Sequence, residues 1–277
     1  MRYGIGYQGS KSRIAKDIID ILPKGERFVD LFGGGFAISH CALLSEKYNS
    51  VLYNDINPLI VSYVKDAING KYSLSHFRPE FITREKFFEL KDKDGYVKYA
   101  WSFGNNGKDY LYSKEKEPLK HILHDFIVFD RWNDCLPQGL ASEVTASDID
   151  TRRKQAMRFI KQNGWRFDAE HLERLAHLER LAHLEHLEIS CADYRTYQYK
   201  DGDIVYCDIP YYNAKEYDRP FNFEDFFQWV KSAPYTVYFS NYDIPYGFPC
   251  IWQKEIKSTF ASQSNSLVRH EKLYVNR

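Results

Sequence analysis

At 277 residues, 44% hydrophobic and 27% charged, the chain is large enough for one sizeable domain or one domain carrying an insertion, and too ordinary in composition for a disordered or fibrous protein. Its 38 basic and 38 acidic residues cancel to a formal net charge of zero, which counts mildly against DNA as a partner and leaves only local basic patches to meet one. Five scattered cysteines (41, 135, 191, 207 and 250) with no CxxC pair argue against a disulfide framework or zinc site, and no segment approaches the length of a membrane span.

The first residues carry no apolar run fit for a signal peptide, which with the reduced thiols points to a cytoplasmic protein. Gly4-Ile5-Gly6-Tyr7-Gln8-Gly9-Ser10-Lys11-Ser12 satisfies GxGxxG, but a dinucleotide fingerprint must follow a strand and too little chain precedes it. The phosphate-loop spacing fails too, because Ser10 separates Gly9 from Lys11. What remains is a donor-rich loop able to cover a small ligand, followed by a predicted helix over 12–22 that Pro23 and Gly25 end.

Arg27-Phe28-Val29-Asp30-Leu31-Phe32 reads as a buried strand, Gly33-Gly34-Gly35 as a turn, and 36–47 as an apolar-periodic helix. That order lets a ligand approach the backbone at a helix N-terminus. A second strand over 50–54 ends at Asp55, about twenty residues after the glycines, where nucleotide-binding units hold ribose hydroxyls. Ile38 stands where a dinucleotide motif needs its third glycine, so a ligand with a ribose and no pyrophosphate fits better, and S-adenosylmethionine is such a ligand.

From 66 to 186 the strand signals fade and the best patterns are helical. Trp101-Ser102-Phe103-Gly104-Asn105-Asn106-Gly107-Lys108 is either a loop reaching into DNA or a hairpin turn with half-buried rings. Residues 151–162 form a helix with Lys154, Arg158 and Lys161 on one stripe, which suits phosphates or simply solvent. His121 and His124 have no cysteine or second histidine pair nearby, so no metal is expected. In the HLERLA repeat, leucines recur every third residue from 172 to 187 and so wander round an α-helix, which excludes a coiled coil and leaves a helix packed on several sides or a connector.

A strand over 187–191 ends near Asp193, and Asp203-Ile204-Val205-Tyr206-Cys207 runs straight into Asp208, with Pro210 to stop it. The Asp208 carboxylate, the Ile209 carbonyl and the Tyr211 ring together suit a planar base carrying an amino group. An acidic, aromatic loop follows, then a helix over 223–231, a strand over 235–240, and an antiparallel pair near 251–256 and 272–275 separated by the polar segment 262–266.

Taken in order, Gly6-Tyr7-Gln8-Gly9-Ser10-Lys11, Asp30-Leu31-Phe32-Gly33-Gly34-Gly35, Asp55 and Asp208-Ile209-Pro210-Tyr211 resemble the Dam-like DNA adenine methyltransferases. Tyr238-Phe239-Ser240-Asn241-Tyr242 and Arg269-His270-Glu271-Lys272-Leu273 are similar to later blocks of that family, which usually carries proline where Ile209 stands. A second tetrapeptide, Asp243-Ile244-Pro245-Tyr246, is separated from its strand, so the first copy is preferred.

The resemblance implies an α/β fold: a Rossmann-like S-adenosylmethionine-dependent methyltransferase sheet from 1–65 and 187–277, with an inserted, mainly helical target-recognition domain over 66–186. It implies a site-specific adenine methyltransferase, such as restriction-modification systems use, acting as a monomer on double-stranded DNA without a metal. Asp208 and the Ile209 carbonyl would hold the amino N–H bonds of a flipped-out adenine, with Pro210 shaping the turn and Tyr211 stacking on the base. The implied cofactor contacts are Tyr7, Gly9, Lys11, Asp30, Phe32, Gly33, Gly34, Gly35, Asp55, Ile56, Asp193 and Tyr194. Among them Lys11 would meet the cofactor carboxylate, Asp55 the ribose and Asp193 the adenine. DNA contacts would come from Trp101, Asn105, Asn106, Lys108, Lys154, Arg158 and Lys161. Methylation of the cytosine amine or of RNA, a catalytically weakened DNA-binding relative and a nicotinamide-dependent oxidoreductase stand as alternatives.

Overall fold

In the computed structural model, which describes residues 2–212, 221–257 and 268–277, seven strands join in one mixed sheet. They are β1 (Gly25–Asp30), β2 (Tyr48–Asn54), β3 (Leu187–Ser190), β4 (Asp203–Asp208), β5 (Val237–Asn241), β6 (Cys250–Lys257) and β7 (Val268–Val275), in the order β3-β2-β1-β4-β5-β7-β6. The first five are parallel, while β7 lies antiparallel between β5 and β6. Helices α1 (Ala15–Ile21) and α2 (Ala37–Leu43) precede a helical stretch of α3 (Pro58–Ile68), α4 (Arg84–Leu90), α5 (Gly95–Ala100), α6 (Glu117–Phe129), α7 (Leu140–Glu143), α8 (Ile149–Gln162) and α9 (Glu170–Ala176). The chain then returns to the sheet, with α10 (Phe223–Ser232). Residues 213–220 of the expected acidic, aromatic loop after Tyr211, and the polar segment 262–266, lie outside the described residues.

Two compact units result. The sheet unit comprises Met1–Tyr3, Lys11–Pro58 and His186–Arg277, and the helical unit comprises Gly4–Ser10 and Leu59–Glu185. Among the described residues no helix is long and apolar enough to cross a membrane, and no group of three or more His, Cys, Asp or Glu could hold a metal ion.

Within the sheet unit, β4 shows why its sequence is a nearly unbroken apolar run. Ile204 and Tyr206 pack into the cluster that holds α1 and α2, while Val205 and Cys207 pack into the cluster that holds α10. A strand buried on both faces cannot alternate with polar residues. Strand order reverses at β1, flanked by β2 and β4, and such a switch point is where open α/β sheets bind ligands beyond the strands' carboxyl ends. Asp30 ends β1 and Asp208 ends β4.

Several element boundaries differ from expectation for physical reasons. Helix α1 starts at Ala15, and Gly25 opens β1 instead of closing the helix. The last turn of α1 lacks a basic residue. Lys47, expected inside the next helix, caps it instead by donating to the carbonyls of Ile19, Asp20 and Leu22. Phe36 is not helical: it precedes α2 in the left-handed region (φ 65°), a strain of order 1–3 kcal/mol that its complete burial against Tyr53 and His40 offsets.

In the helical unit the repeat resolves by a change of winding. After α9 the chain tightens into a 3₁₀ turn over Leu178–Leu181, where residues three apart eclipse. Leu172, Leu175, Leu178 and Leu181 are all buried as a result. Beside them runs a buried polar chain. His124 Nε2 lies 3.0 Å from the Pro79 carbonyl and must donate to it, so its Nδ1 accepts from His171 Nε2 at 2.8 Å. His171 Nδ1 therefore accepts from the Tyr112 hydroxyl at 2.7 Å.

Candidate active site

Asp208 is the last residue of β4, and its carboxylate is held by groups that local sequence does not reveal. Lys11 Nζ forms an ion pair with Asp208 Oδ1 at 2.7 Å, and Ser240 Oγ donates to the same oxygen at 3.0 Å. Ser240 has one proton to give, so it accepts in turn from the Tyr206 hydroxyl at 2.8 Å. The Asp208 side chain keeps 21% exposure, and its Oδ2 accepts no hydrogen bond among the described residues. Lys11 also donates to the Tyr211 hydroxyl at 2.6 Å, and that hydroxyl donates to Glu271 Oε2 at 2.9 Å. Glu271 Oε1 lies 3.3 Å from Lys11 Nζ, close enough for an ion pair but outside hydrogen-bond geometry.

Burial alone would lower the Lys11 pKa, but the charge of Asp208, then Tyr211 and Glu271, raises it well above the ordinary value. The ammonium is permanent. Burial pushes the Glu271 carboxyl upward, and Lys11 pulls it back. Lys11 therefore stands between two acids, where a cofactor carboxylate had been its expected partner.

The turn after β4 is clamped by Asn241, a buried residue at the end of β5. Its Nδ2 donates to the Pro210 carbonyl at 3.0 Å, and its Oδ1 accepts from the Tyr212 and Tyr242 N–H groups at 3.0 and 2.9 Å. The Ile209 side chain is buried in the α10-side core. An Ile at this position thus anchors the turn by packing where a proline would stiffen it covalently. The Tyr211 ring stacks on Tyr242 with centroids 4.0 Å apart and planes 3° apart. Asp243, in the second tetrapeptide, has an 84% exposed side chain and pairs with Lys272.

Across the switch point, Asp30 is buried, with Oδ2 accepting from the Ser39 hydroxyl at 2.7 Å and Oδ1 lacking a partner among the described residues. Burial pushes its carboxyl up to about 7, the Ser39 hydroxyl pulling the other way. Asp55 Oδ2 accepts from the Gly34 N–H at 2.9 Å and Oδ1 from the Asn57 N–H at 2.8 Å, which ties the Gly33–Gly35 turn to the end of β2. Gly33 has no room for a Cβ, which would fall 2.3 Å from the Tyr53 ring. Phe32 and Tyr194 come together with centroids 5.2 Å apart, and Ile56 is exposed beyond Asp55. Asp193 is engaged by Arg195, at 2.9 and 2.6 Å, which holds its carboxyl below the usual range. Tyr7 and Gly9 belong to the helical unit, where the Tyr7 ring packs against Tyr99.

The expected DNA-contacting loop is a hairpin turn closed by the Ser102 and Tyr110 bridge. Trp101 is a correction: its ring is fully buried, stacked on His171 at 4.5 Å, so it holds the hairpin from within and is not available to a solvent-side partner. Phe103 is the outward ring, at 59% exposure. Asn105 donates to the Tyr99 carbonyl at 2.8 Å, and Asn106 Oδ1 accepts from the Lys108 and Asp109 N–H groups at 2.8 and 3.0 Å, so both side chains shape the turn. Lys108 is exposed. On α8, Lys154, Arg158 and Lys161 are exposed, with Lys154 paired to Asp150 at 2.5 Å.

Ser240, Asn241, Tyr242 and Glu271 were not assigned roles from sequence. For the first three the signal was present in polar residues closing an apolar strand, whereas Glu271, set within Arg269-His270-Glu271-Lys272, carried no local mark. A model of the D12 class N6 adenine-specific DNA methyltransferase family matches residues 7–228.

Proposed function

The chain belongs to the D12 class N6 adenine-specific DNA methyltransferase family and methylates adenine in DNA; we propose that the reaction takes place at the 208–211 turn, with S-adenosylmethionine as donor. The observation that carries this reading is the Asp208 carboxylate, ending β4 at the switch point beside the Tyr211 ring, with one oxygen that accepts no hydrogen bond among the described residues.

An adenine amino group is a poor nucleophile because its lone pair is delocalised into the ring. Asp208 Oδ2 and the Ile209 carbonyl accept its two N–H bonds and so turn the lone pair out of that ring. Tyr211, braced by Tyr242, fixes the plane of the base. Alignment of this kind is able to supply several kcal/mol of the barrier. The base must leave the duplex to reach these groups, at a cost of a few kcal/mol.

The Asp30 site fits the donor. Its buried Oδ1, which accepts no hydrogen bond of good geometry among the described residues, would accept from the ammonium of an amino acid, and the Gly33–Gly35 backbone leaves no side chain in the way. Asp55 would hold the ribose, and the Phe32, Ile56 and Tyr194 side chains would offer apolar surface to the adenine moiety, with Asp193 at its edge. When bound, the cofactor supplies a methyl group on a sulfonium whose positive charge is lost in the transfer.

The helical unit is the proposed target-recognition domain. Phe103 and Lys108 on its hairpin and Lys154, Arg158 and Lys161 on α8 are its proposed DNA contacts, and phosphates would hold the basic groups. One chain carries every group invoked, which supports action as a monomer. Calorimetric titration with S-adenosylmethionine tests the cofactor assignment. Wild-type protein binds it and Asp30→Asn binds it at least about tenfold more weakly, the equivalent of ~1.4 kcal/mol; equal affinities would remove Asp30 from the cofactor site.

A further inference from the structure

Two carboxylates share one lysine at this site, and the second of them lies on a strand to which no function has been given. Glu271, on β7, is fully buried, and Oε2 accepts the phenol proton of Tyr211 while Oε1 faces Lys11 at 3.3 Å. We propose that Glu271 is a positioning residue for methyl transfer: through Tyr211 and Lys11 it sets the two groups that meet the base, without touching the base itself. This rests on the reading of Asp208 and Tyr211 given above.

Burying a carboxylate is expensive, and apolar side chains of similar volume often replace a buried ion pair at no loss of stability. Packing alone therefore does not account for an acid at this position. Its effect on the site does. Hydrogen bonds to a phenol fix where the outer end of its ring lies, and here the phenol accepts from Lys11 and donates to Glu271 while Tyr242 braces the ring plane. Lys11 in turn is drawn toward Glu271 as well as Asp208, so Asp208 does not have the whole of its charge. With Glu271 neutral, Lys11 is left to Asp208, whose oxygens then accept less readily from the adenine amine. Strand β7 is suited to the task. Its Lys272 is in register with Asn241, the clamp of the 210–212 turn, and its Leu273 with Ser240, the second donor to Asp208.

The test uses the full chain with Glu271→Gln, which removes the charge, and Glu271→Asp, which keeps it. Three quantities are measured for each: the single-turnover rate of labelled methyl transfer from S-adenosylmethionine to mixed-sequence DNA, the dissociation constants of both ligands, and the melting temperature. Glu271→Gln is expected to slow transfer roughly tenfold or more with both affinities within about threefold of wild type, and Glu271→Asp to recover a clear part of that loss. Transfer at the wild-type rate in Glu271→Gln overturns the proposal. So does a loss of rate, affinity and melting temperature together with no recovery in Glu271→Asp, the pattern of a structural residue. If Glu271→Gln does not fold, a folded Glu271→Asp that transfers slowly with unchanged affinities supports the proposal; one at the wild-type rate, or one that also fails to fold, overturns it. Wild-type transfer that survives loss of Asp208 would instead sink the underlying reading, whereas a dispensable Glu271 in a protein that needs Asp208 sinks only this inference.

Discussion

The Lys11 ammonium lies 2.7 Å from the Asp208 carboxylate with almost none of its own side chain exposed. Removing one partner of a buried pair leaves a charge without compensation, typically at a cost of 3–5 kcal/mol. Lys11→Met leaves Asp208 partly exposed but Glu271 fully buried, so the loss should fall within that range, about 3–5 kcal/mol. Urea unfolding measures it, and an unchanged midpoint with an unchanged slope would show that the pair contributes nothing to stability.

Asp30 makes cofactor affinity depend on pH. Its carboxyl titrates at about 7 because it is buried, and only the ionised form attracts an ammonium. Affinity for S-adenosylmethionine should therefore rise as pH increases through about 7 and level off above it. Linkage gives stability the opposite trend. The folded carboxyl binds its proton more tightly than the ordinary value of 3.8, so this group lowers the stability of the free protein as pH rises from about 4 to about 7. Titrations at a series of pH values check the first trend, and Asp30→Asn should abolish it.

The histidine chain makes the helical unit sensitive to acid. Burial lowers the His124 pKa from 6.5 to about 4 and drives that of His171 well below its ordinary value. Both are neutral when folded, so their contribution is complete above about 6.5. It is lost as pH falls through the window from 6.5 to about 4, because the unfolded chain takes up protons that the folded chain refuses. Hydrogen exchange should show α6 and α9 losing protection in that window. Protection that stays constant down to pH 4 would contradict the assignment.

Trp101 and Phe103, two residues apart, should fail in different ways. Trp101→Ala opens a core cavity and should cost about 3–5 kcal/mol. Phe103→Ala should leave the melting temperature within about a degree, since exposed substitutions usually change stability by less than 0.5 kcal/mol, while weakening DNA binding. Thermal melts and a DNA-binding titration on the two variants separate these roles.

How far the sequence was legible depended on whether a feature was local. The apolar run from Ile204 to Cys207 with Pro210 beyond it announces a buried strand, and β4 is that strand. The antiparallel pairing of β6 with β7 followed from the short connection between them. Lys11 was different, because its partners lie far along the chain: Tyr211 is 200 residues away, and only the sheet order brings them together. The change of winding within the repeat was not legible, because a period of three was judged against α-helical geometry alone, whereas the backbone tightens into a 3₁₀ turn over Leu178–Leu181. Trp101 and Phe103 flank one serine in a turn-rich segment, and no local pattern says which ring turns inward.

The central claim is that Asp208 holds the amine that receives the methyl group. Its most direct test is single-turnover methyl transfer from labelled S-adenosylmethionine to DNA by the Asp208→Ala variant, with cofactor affinity measured on the same preparation. The account predicts transfer reduced by at least about 10³-fold, some 4 kcal/mol of transition-state stabilisation, with cofactor affinity nearly unchanged. N6-methyladenine formed by that variant at a substantial fraction of the wild-type rate would contradict it.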